Sequence, residues 1–334
     1  MDLLNEIVKE IGSDYAKIAS DKESTETYID TGSYVFNGLV SGSILGGVSS
    51  SRITAIAGET STGKTFFSLA VVKNFLDNNP NGYVLYFDTE SAVNKELLES
   101  RNIDTKRVGH IEVVTVEEFR NKALKALDIY LDKPTEERTP CLFVLDSLGM
   151  LSTEKEIKDA LEDKNVRDMT KSQLVKGAFR MLTLKLGQAN VPLIVTNHTY
   201  DVIGAYVPTK EMGGGSGLKY AASTIIYLSK GKEKDGTEVV GNIIKAKTVK
   251  SRLSKENKDV KIRLFYDERG LDKYFGLLDL AEKYEIVKKV GNRYEIKGKK
   301  VYAKEVYSNP EKYFDDQIMQ ALDEASKKEF SYGE

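Results

Sequence analysis

Cysteine and histidine are scarce in this chain, and each scarcity narrows the chemistry. Cys141 is the single cysteine among 334 residues, so no intrachain disulfide can form, which suits a reducing compartment. It lies in an apolar run and reads as core. His110 and His198 are the only histidines, and with one thiol they argue against a structural zinc site. No apolar run approaches the ~20 residues of a membrane span. The opening Met1-Asp2-Leu3-Leu4-Asn5-Glu6 lacks the basic-then-apolar order of a secretion signal. We therefore expect no membrane partner. A formal net charge of −2 shows no global basic surplus. Nucleic-acid binding is neither advertised nor excluded by it, because local charge matters more than the sum.

Local charge is uneven. Eight Lys or Arg lie between Lys245 and Arg263, against Glu256 and Asp259, whereas Glu311 to Glu334 holds seven acids against three lysines. With 40% hydrophobic and 30% charged residues, the composition suits one large globular domain with appendages.

The most informative stretch is Gly58-Glu59-Thr60-Ser61-Thr62-Gly63-Lys64-Thr65, which fits G-x-x-x-x-G-K-[ST], the phosphate-binding loop of nucleoside triphosphatases. Gly58 and Gly63 let the backbone curl so that its N–H groups face phosphate oxygens. Lys64 can reach the β- and γ-phosphates, and the Thr65 hydroxyl can sit on Mg²⁺. Residues 52–57 read as a buried strand and 65–76 as a helix, so the phosphates would lie at a helix N-terminus. Further strands are expected over 83–88, 110–114, 141–147 and 191–198, with helices over 93–101, 116–131 and 172–186 between them. That alternation predicts a mostly parallel sheet with helices on both faces. Open α/β sheets bind ligands at the carboxyl ends of their strands, which directs attention to Glu90, Asp146 and His198. An apolar strand running into Asp146, downstream of a phosphate loop, places that carboxylate near Mg²⁺.

Three more strands, over 223–229, 242–248 and 259–266, are expected to be antiparallel, with a hairpin turn at Asp235-Gly236. Residues 152–170 read as a mobile polar loop, and 199–219, with Gly213, Gly214 and Gly215, as a long functional segment. From Leu277 a smaller α/β unit follows: a helix over 277–284, two strands around Gly291-Asn292 and Gly298, and a final helix after Asn309-Pro310. Residues 1–20 carry apolar residues at helical spacing, and that stripe must bury on its own domain or on a neighbouring subunit.

Several segments together resemble the RecA-type homologous recombinases, most closely the phage UvsX-type branch: Ile29-Asp30-Thr31-Gly32-Ser33, Phe87-Asp88-Thr89-Glu90, Leu145-Asp146-Ser147-Leu148-Gly149, Asp159-Ala160-Leu161 with Asp168-Met169-Thr170, Asn197-His198-Thr199-Tyr200 with Met212-Gly213-Gly214-Gly215, and Gly276-Leu277-Leu278-Asp279-Leu280. The similarity runs along nearly the whole chain. It implies an α/β fold with a RecA-like P-loop ATPase core at 29–270, antiparallel strands at one sheet edge, and DNA-binding loops at about 152–170 and 199–219. An N-terminal helix and linker at 1–28, available for subunit contact, would precede it. A small C-terminal α/β subdomain with an acidic tail at 271–334 would follow.

The resemblance also implies site roles. Glu90 would polarise the water that attacks the γ-phosphate. His198 stands where bacterial members carry Gln and phage members carry His, and it would link nucleotide state to the second DNA loop. Lys245 and Lys247 match a lysine pair that reaches the neighbour's ATP. The second position is Lys where the phage pattern has Arg, and Lys250 and Arg252 are rival candidates. Tyr274 matches an adenine-stacking tyrosine, Ile203 a residue that wedges between bases, and Arg167 a phosphate contact. Tyr15-Ala16 is a loose match to the family's subunit hook.

The implied function is an ATP- and Mg²⁺-dependent recombinase. It would form a filament on single-stranded DNA, hold ATP between subunits, and exchange strands with homologous duplex DNA. Single-strand-binding and loader proteins would be further partners, and the cytoplasm the location, that of the host cell if the chain is phage-encoded. A hexameric motor of helicase or clock type and a non-hydrolysing assembly module are the alternatives.

Overall fold

The computed structural model describes residues 2–11, 27–164, 170–202, 210–235, 238–267 and 269–333. Helix α1 (Asp2–Glu10) comes first. Strands β1 (Tyr28–Ile29) and β2 (Val48–Ser49) pair around α2 (Tyr34–Ser41). The core then alternates: β3 (Ile53–Gly58), α3 (Lys64–Asn78), β4 (Tyr83–Asp88), α4 (Lys95–Ser100), β5 (Val108–Glu112), α5 (Val116–Leu131) and β6 (Cys141–Asp146). It continues through α6 (Glu154–Leu161), α7 (Lys171–Ala189), β7 (Leu193–Asp201), β8 (Lys210–Met212) and α8 (Ser216–Ala221). Three long strands follow, β9 (Thr224–Asp235), β10 (Glu238–Ser251) and β11 (Asp259–Phe265).

These strands form one sheet in the order β11-β10-β9-β3-β7-β6-β4-β5, with β8 added to the end of β7. From β9 to β5 every neighbouring pair is parallel. The pairs β9–β10 and β10–β11 are antiparallel, as expected for one edge. All six residues of β3 and of β6 are buried, as required of strands covered on both faces. The period of two sorts their side chains: Leu142 and Val144 join α2 and α3 in one core cluster, while Phe143 and Leu145 join α5 and α7 in the other.

Several expectations need correction. The polar segment 152–170 is not all loop. Thr153 accepts from the Glu156 amide while Glu156 reaches back to the Thr153 amide, a capping box that starts α6. The signal Thr153-x-x-Glu156 was readable, but the density of charge masked it.

The C-terminal unit differs as well. After α9 (Leu277–Lys283) come three strands, β12 (Lys288–Val290), β13 (Arg293–Ile296) and β14 (Lys299–Tyr302), rather than two. Gly291 and Gly298, at φ +62° and +73°, supply the left-handed turns between them. Helices α10 (Ala303–Ser308), α11 (Pro310–Tyr313) and α12 (Asp316–Phe330) complete the chain.

The acidic C-terminus is not a free tail. Leu322, Ala325 and Phe330 of α12 belong to the same core cluster as Phe36, Leu39 and Val40 of α2. A Cβ on Gly38 would lie 2.4 Å from Ser326 Oγ, so glycine there allows the two helices to touch. Ser326 Oγ donates to Gly42 O (2.9 Å) and Ser43 Oγ to Asp323 Oδ1 (2.5 Å). Glu329 accepts from Lys258 (2.7 Å), Lys283 (2.5 Å) and Tyr284 (2.9 Å). By contrast, the α1 stripe of Leu3, Leu4, Ile7 and Ile11 is exposed, so packing on its own domain is not what the described residues do.

Deleting residues 320–334 should therefore unfold the protein rather than only alter its charge, because large buried side chains are each worth several kcal/mol, on the order of 2–5. Circular dichroism melting checks this; a truncated chain melting with the full-length one would contradict it. Burial alone would raise the Glu329 pKa, yet Lys258, Lys283 and Tyr284 outweigh it and hold the group at about 2 instead of 4.5. A depressed carboxyl stabilises the fold above its unfolded value and loses that effect as pH falls through the folded one. Melting temperature should thus drop between pH 4.5 and 2, and less steeply in Glu329→Gln.

Candidate nucleotide site

The loop after β3 is curled, with Ser61 at φ +60° and Gly63 at φ +89°, and it opens directly into the 15-residue helix α3. A Cβ on Gly58 would lie 2.6 Å from Thr62 Oγ1 and 2.8 Å from Leu228 O, so space requires glycine there, whereas at Gly63 the positive φ favours it. Thr62 Oγ1 closes the loop on Glu59 O at 2.9 Å. Lys64 Nζ donates to Gly58 O (3.1 Å) and Glu59 O (2.9 Å). Burial pulls the Lys64 pKa below the ordinary ammonium value; Asp146 and Glu90 oppose that, and Lys230 adds to it.

Strand register gathers the other groups. Gly58 lies opposite His198, and Asp88 opposite Asp146. Asp146 is buried and accepts from Tyr86 Oη (2.7 Å) and from Thr196 Oγ1. A carboxylate offers about four acceptor positions, so capacity remains for a metal-bound water. Among the described residues no cluster of three His, Cys, Asp or Glu could hold a metal alone. The oxygen donors present, the Thr65 hydroxyl and the Asp146 carboxylate, fit Mg²⁺, which takes few protein ligands and keeps waters and phosphate oxygens. The cradle of amides, with Lys64 and Thr65 at a helix N-terminus, fits a triphosphate.

Glu90 is fixed from three sides. Its Oε1 accepts from Ser147 Oγ (2.8 Å) and from His198 Nε2 (3.3 Å). Its amide donates to Asp88 Oδ1 (2.9 Å), and Asp88 Oδ2 accepts from the Val93 amide (3.1 Å) and His110 Nε2 (3.0 Å). Burial would raise the Asp88 pKa, but His110 and the two amides outweigh it and hold the carboxyl below its usual range. His198 Nδ1 stands 3.5 Å from Lys64 Nζ. With an ammonium on one nitrogen and a carboxylate on the other, the imidazole accepts at Nδ1 and donates at Nε2.

The strand that carries His198 also carries the glycine-rich segment. Gly213 N donates to His198 O (3.0 Å), Asn197 Nδ2 donates to Gly213 O (2.8 Å), and the His198 amide donates to Asn197 Oδ1 (2.8 Å). Gly214 and Gly215, at φ +82° and +75°, then turn the chain into α8. His198 and Gly213 are thus joined directly and through Asn197.

Other expected residues are not brought here. Lys245 pairs with Asp259 (3.2 Å) on the antiparallel edge, and Lys247 stands exposed two positions on. Lys250 donates to the carbonyls of Lys219 (2.8 Å), Tyr220 (3.1 Å) and Ala222 (2.8 Å), while Arg252 is exposed. Tyr274 stacks on Phe314 at 5.8 Å and meets Tyr34 edge-on at 5.2 Å, and it is partly exposed. Arg167 and Ile203 lie outside the described residues. A cavity of about 240 Å³ opens beside Phe66, the residue after Thr65, lined also by Arg101, Arg269 and Lys273. The Arg101 guanidinium sits 4.5 Å over the Phe66 ring. Sequence reading missed Tyr86, Thr196 and Asp88 as supports, since a polar residue within an apolar strand resembles ordinary strand composition.

The comparisons with known proteins agree with this geometry. A family model of the RecA N-terminal domain matches residues 2–272. The chain belongs to the RecA family. The "Recombination and repair protein" of Enterobacteria phage T4 is 33% identical over 277 residues, 83% of this chain and 68% of that protein. Protein RecA of Francisella philomiragia is 29% identical over 259 residues, 77% of this chain and 68% of its own length. Protein RecA of Clavibacter michiganensis is 27% identical over 303 residues, 88% and 79% of the two chains. The RecA family match thus covers the phosphate loop and all four strand ends described above.

Thr196→Val should leave buried Asp146 with one donor fewer, costing roughly 1–3 kcal/mol of stability. Urea unfolding at neutral pH reads this directly, and an unshifted midpoint would contradict it.

Proposed function

We propose that this RecA-type recombinase is a DNA-dependent ATPase that coats single-stranded DNA and exchanges it with a homologous duplex. The observation that carries the reading is His198, within reach of both Lys64 and Glu90 and bonded through its carbonyl to Gly213. One residue of β7 thus senses the phosphate site and anchors the segment proposed to hold DNA. The alternatives of a ring-forming motor and of a non-hydrolysing module are not favoured by the comparisons.

In the mechanism, Lys64 exchanges its two loop carbonyls for phosphate oxygens. Thr65 and Asp146 would hold Mg²⁺, which when bound would offset phosphate charge. Glu90, oriented by Ser147, His198 and the Asp88 turn, accepts a hydrogen bond from the attacking water and receives its proton. His198 Nε2–H is then shared between Glu90 and a γ-phosphate oxygen, so loss of that phosphate alters the pull on Gly213, an order–disorder switch of loop and nucleotide. Tyr274 is the residue proposed to stack on adenine, and the cavity at Phe66 and Arg101 is a second candidate for the base. A cation from a neighbouring subunit would complete the site, drawn from Lys245 and Lys247 or from Lys250 and Arg252.

The division at 28 and 270 and the first DNA loop at 152–170 are part of this proposal, as is the use of the exposed α1 stripe in subunit contact. DNA would be gripped mainly by its backbone, since homology is tested by base pairing.

Purified protein should exchange strands in the presence of ATP and Mg²⁺, and Lys64→Ala should abolish it. Glu90→Gln should keep ATP-dependent binding to single strands while turnover falls by roughly 10²-fold or more. Closed rings by electron microscopy, with no coated single strands, would sink the proposal.

A further inference from the structure

Three lysines from three elements converge on the short stretch Gly58–Thr62. Lys64 of α3 donates to the first two carbonyls. Lys230 of β9 donates to Ser61 O at 3.0 Å and Thr60 O at 3.5 Å. Lys210 of β8 forms an ion pair with the Glu59 carboxylate. The first two brace the loop's own backbone. Lys210 is different, because it begins the strand that returns the 199–219 segment to the sheet. It pairs in register with Asp201 and lies three positions before Gly213.

Glu59 is itself an oddity, a carboxylate on a loop built to receive an anion. Left bare, it would repel an incoming triphosphate. Lys210 neutralises it. When phosphate arrives, Lys64 must leave Glu59 O, and Lys210 then faces two anions instead of one. We propose that the Lys210–Glu59 ion pair is a second link between the phosphate loop and the glycine turn at Gly213, separate from His198, through which bound triphosphate draws β8 toward the loop. The inference rests on the function proposed above for both ends. Lys210 and Glu59 act as positioning residues, and the link is one of coupling rather than of catalysis. The two side chains are 40% and 54% exposed, so an effect of roughly two- to fivefold is expected.

The test has two arms on the full-length chain. In the first, ATP affinity is measured without DNA for wild type, Lys210→Gln, Glu59→Gln and the double variant. Lys210→Gln should weaken ATP binding roughly two- to fivefold, and the loss should be smaller in the Glu59→Gln background. An equal loss in both backgrounds, or none, overturns the pairing. In the second arm, the ratio of single-strand affinities with ATP and with ADP is measured. It should fall by a similar factor in Lys210→Gln and stay at the wild-type value in Lys210→Arg. An unchanged ratio in Lys210→Gln overturns the link. Wild type with no preference for ATP over ADP would instead refute the proposed function, while the first arm still decides whether the two residues are coupled. Both side chains are exposed, so early melting is not expected, and Lys210→Arg separates loss of charge from loss of fold.

Discussion

Burying an ammonium is costly unless carbonyls and opposite charges surround it, and Lys64 is only 7% exposed. Its surroundings meet that demand in layers. Two loop carbonyls accept its hydrogen bonds, and Asp146 and Glu90 supply the countercharge. Neither carboxylate forms an ion pair with it, because each is held elsewhere: Asp146 by Tyr86 and Thr196, Glu90 by Ser147 and His198. A direct ion pair would have trapped the lysine. Carbonyl contacts with distant countercharge leave it charged and exchangeable, which is what a phosphate ligand needs. The parallel register that sets Gly58 beside His198 and Asp88 beside Asp146 makes this arrangement possible.

The parts legible in the sequence were those set by local rules. An uninterrupted apolar run must be a strand buried on both faces, and β3 and β6 are. The phosphate loop follows from Gly58, Gly63 and Lys64 because sterics and charge leave few other uses for that spacing. Glu90 and His198 were legible as strand ends, and the family resemblance supplied their roles. What was not legible depends on contacts distant in sequence. Thr196 reads as an ordinary strand residue until β6 and β7 lie side by side. Tyr274 reads as free until Phe314 stacks on it. The acids of the last helix read as a tail because their lysine partners, Lys258 and Lys283, lie 71 and 46 positions away from Glu329.

The same contrast separates what can move from what cannot. The C-terminal unit shares one apolar cluster with α2 and α3, with Leu277, Val306 and Leu322 fully buried beside Phe36 and Phe67. Displacing it would expose that surface together, at roughly 1.5–3 kcal/mol for each large side chain, so nucleotide exchange cannot readily drive it. The stretch from β8 to Gly213 is attached by other means. Its anchors among the described residues include the short ladder of β8 on β7, the bonds of Gly213 to His198 and Asn197, and the exposed pair of Lys210 with Glu59. Each is worth about 1 kcal/mol, comparable to the differential affinity a single phosphate group can supply. A switch must be built from interactions of that size, since larger ones would not release and smaller ones would not hold. The chain places its apolar surface where rigidity is needed and its polar anchors between the phosphate loop and the glycine-rich turn, where nucleotide state has to be felt.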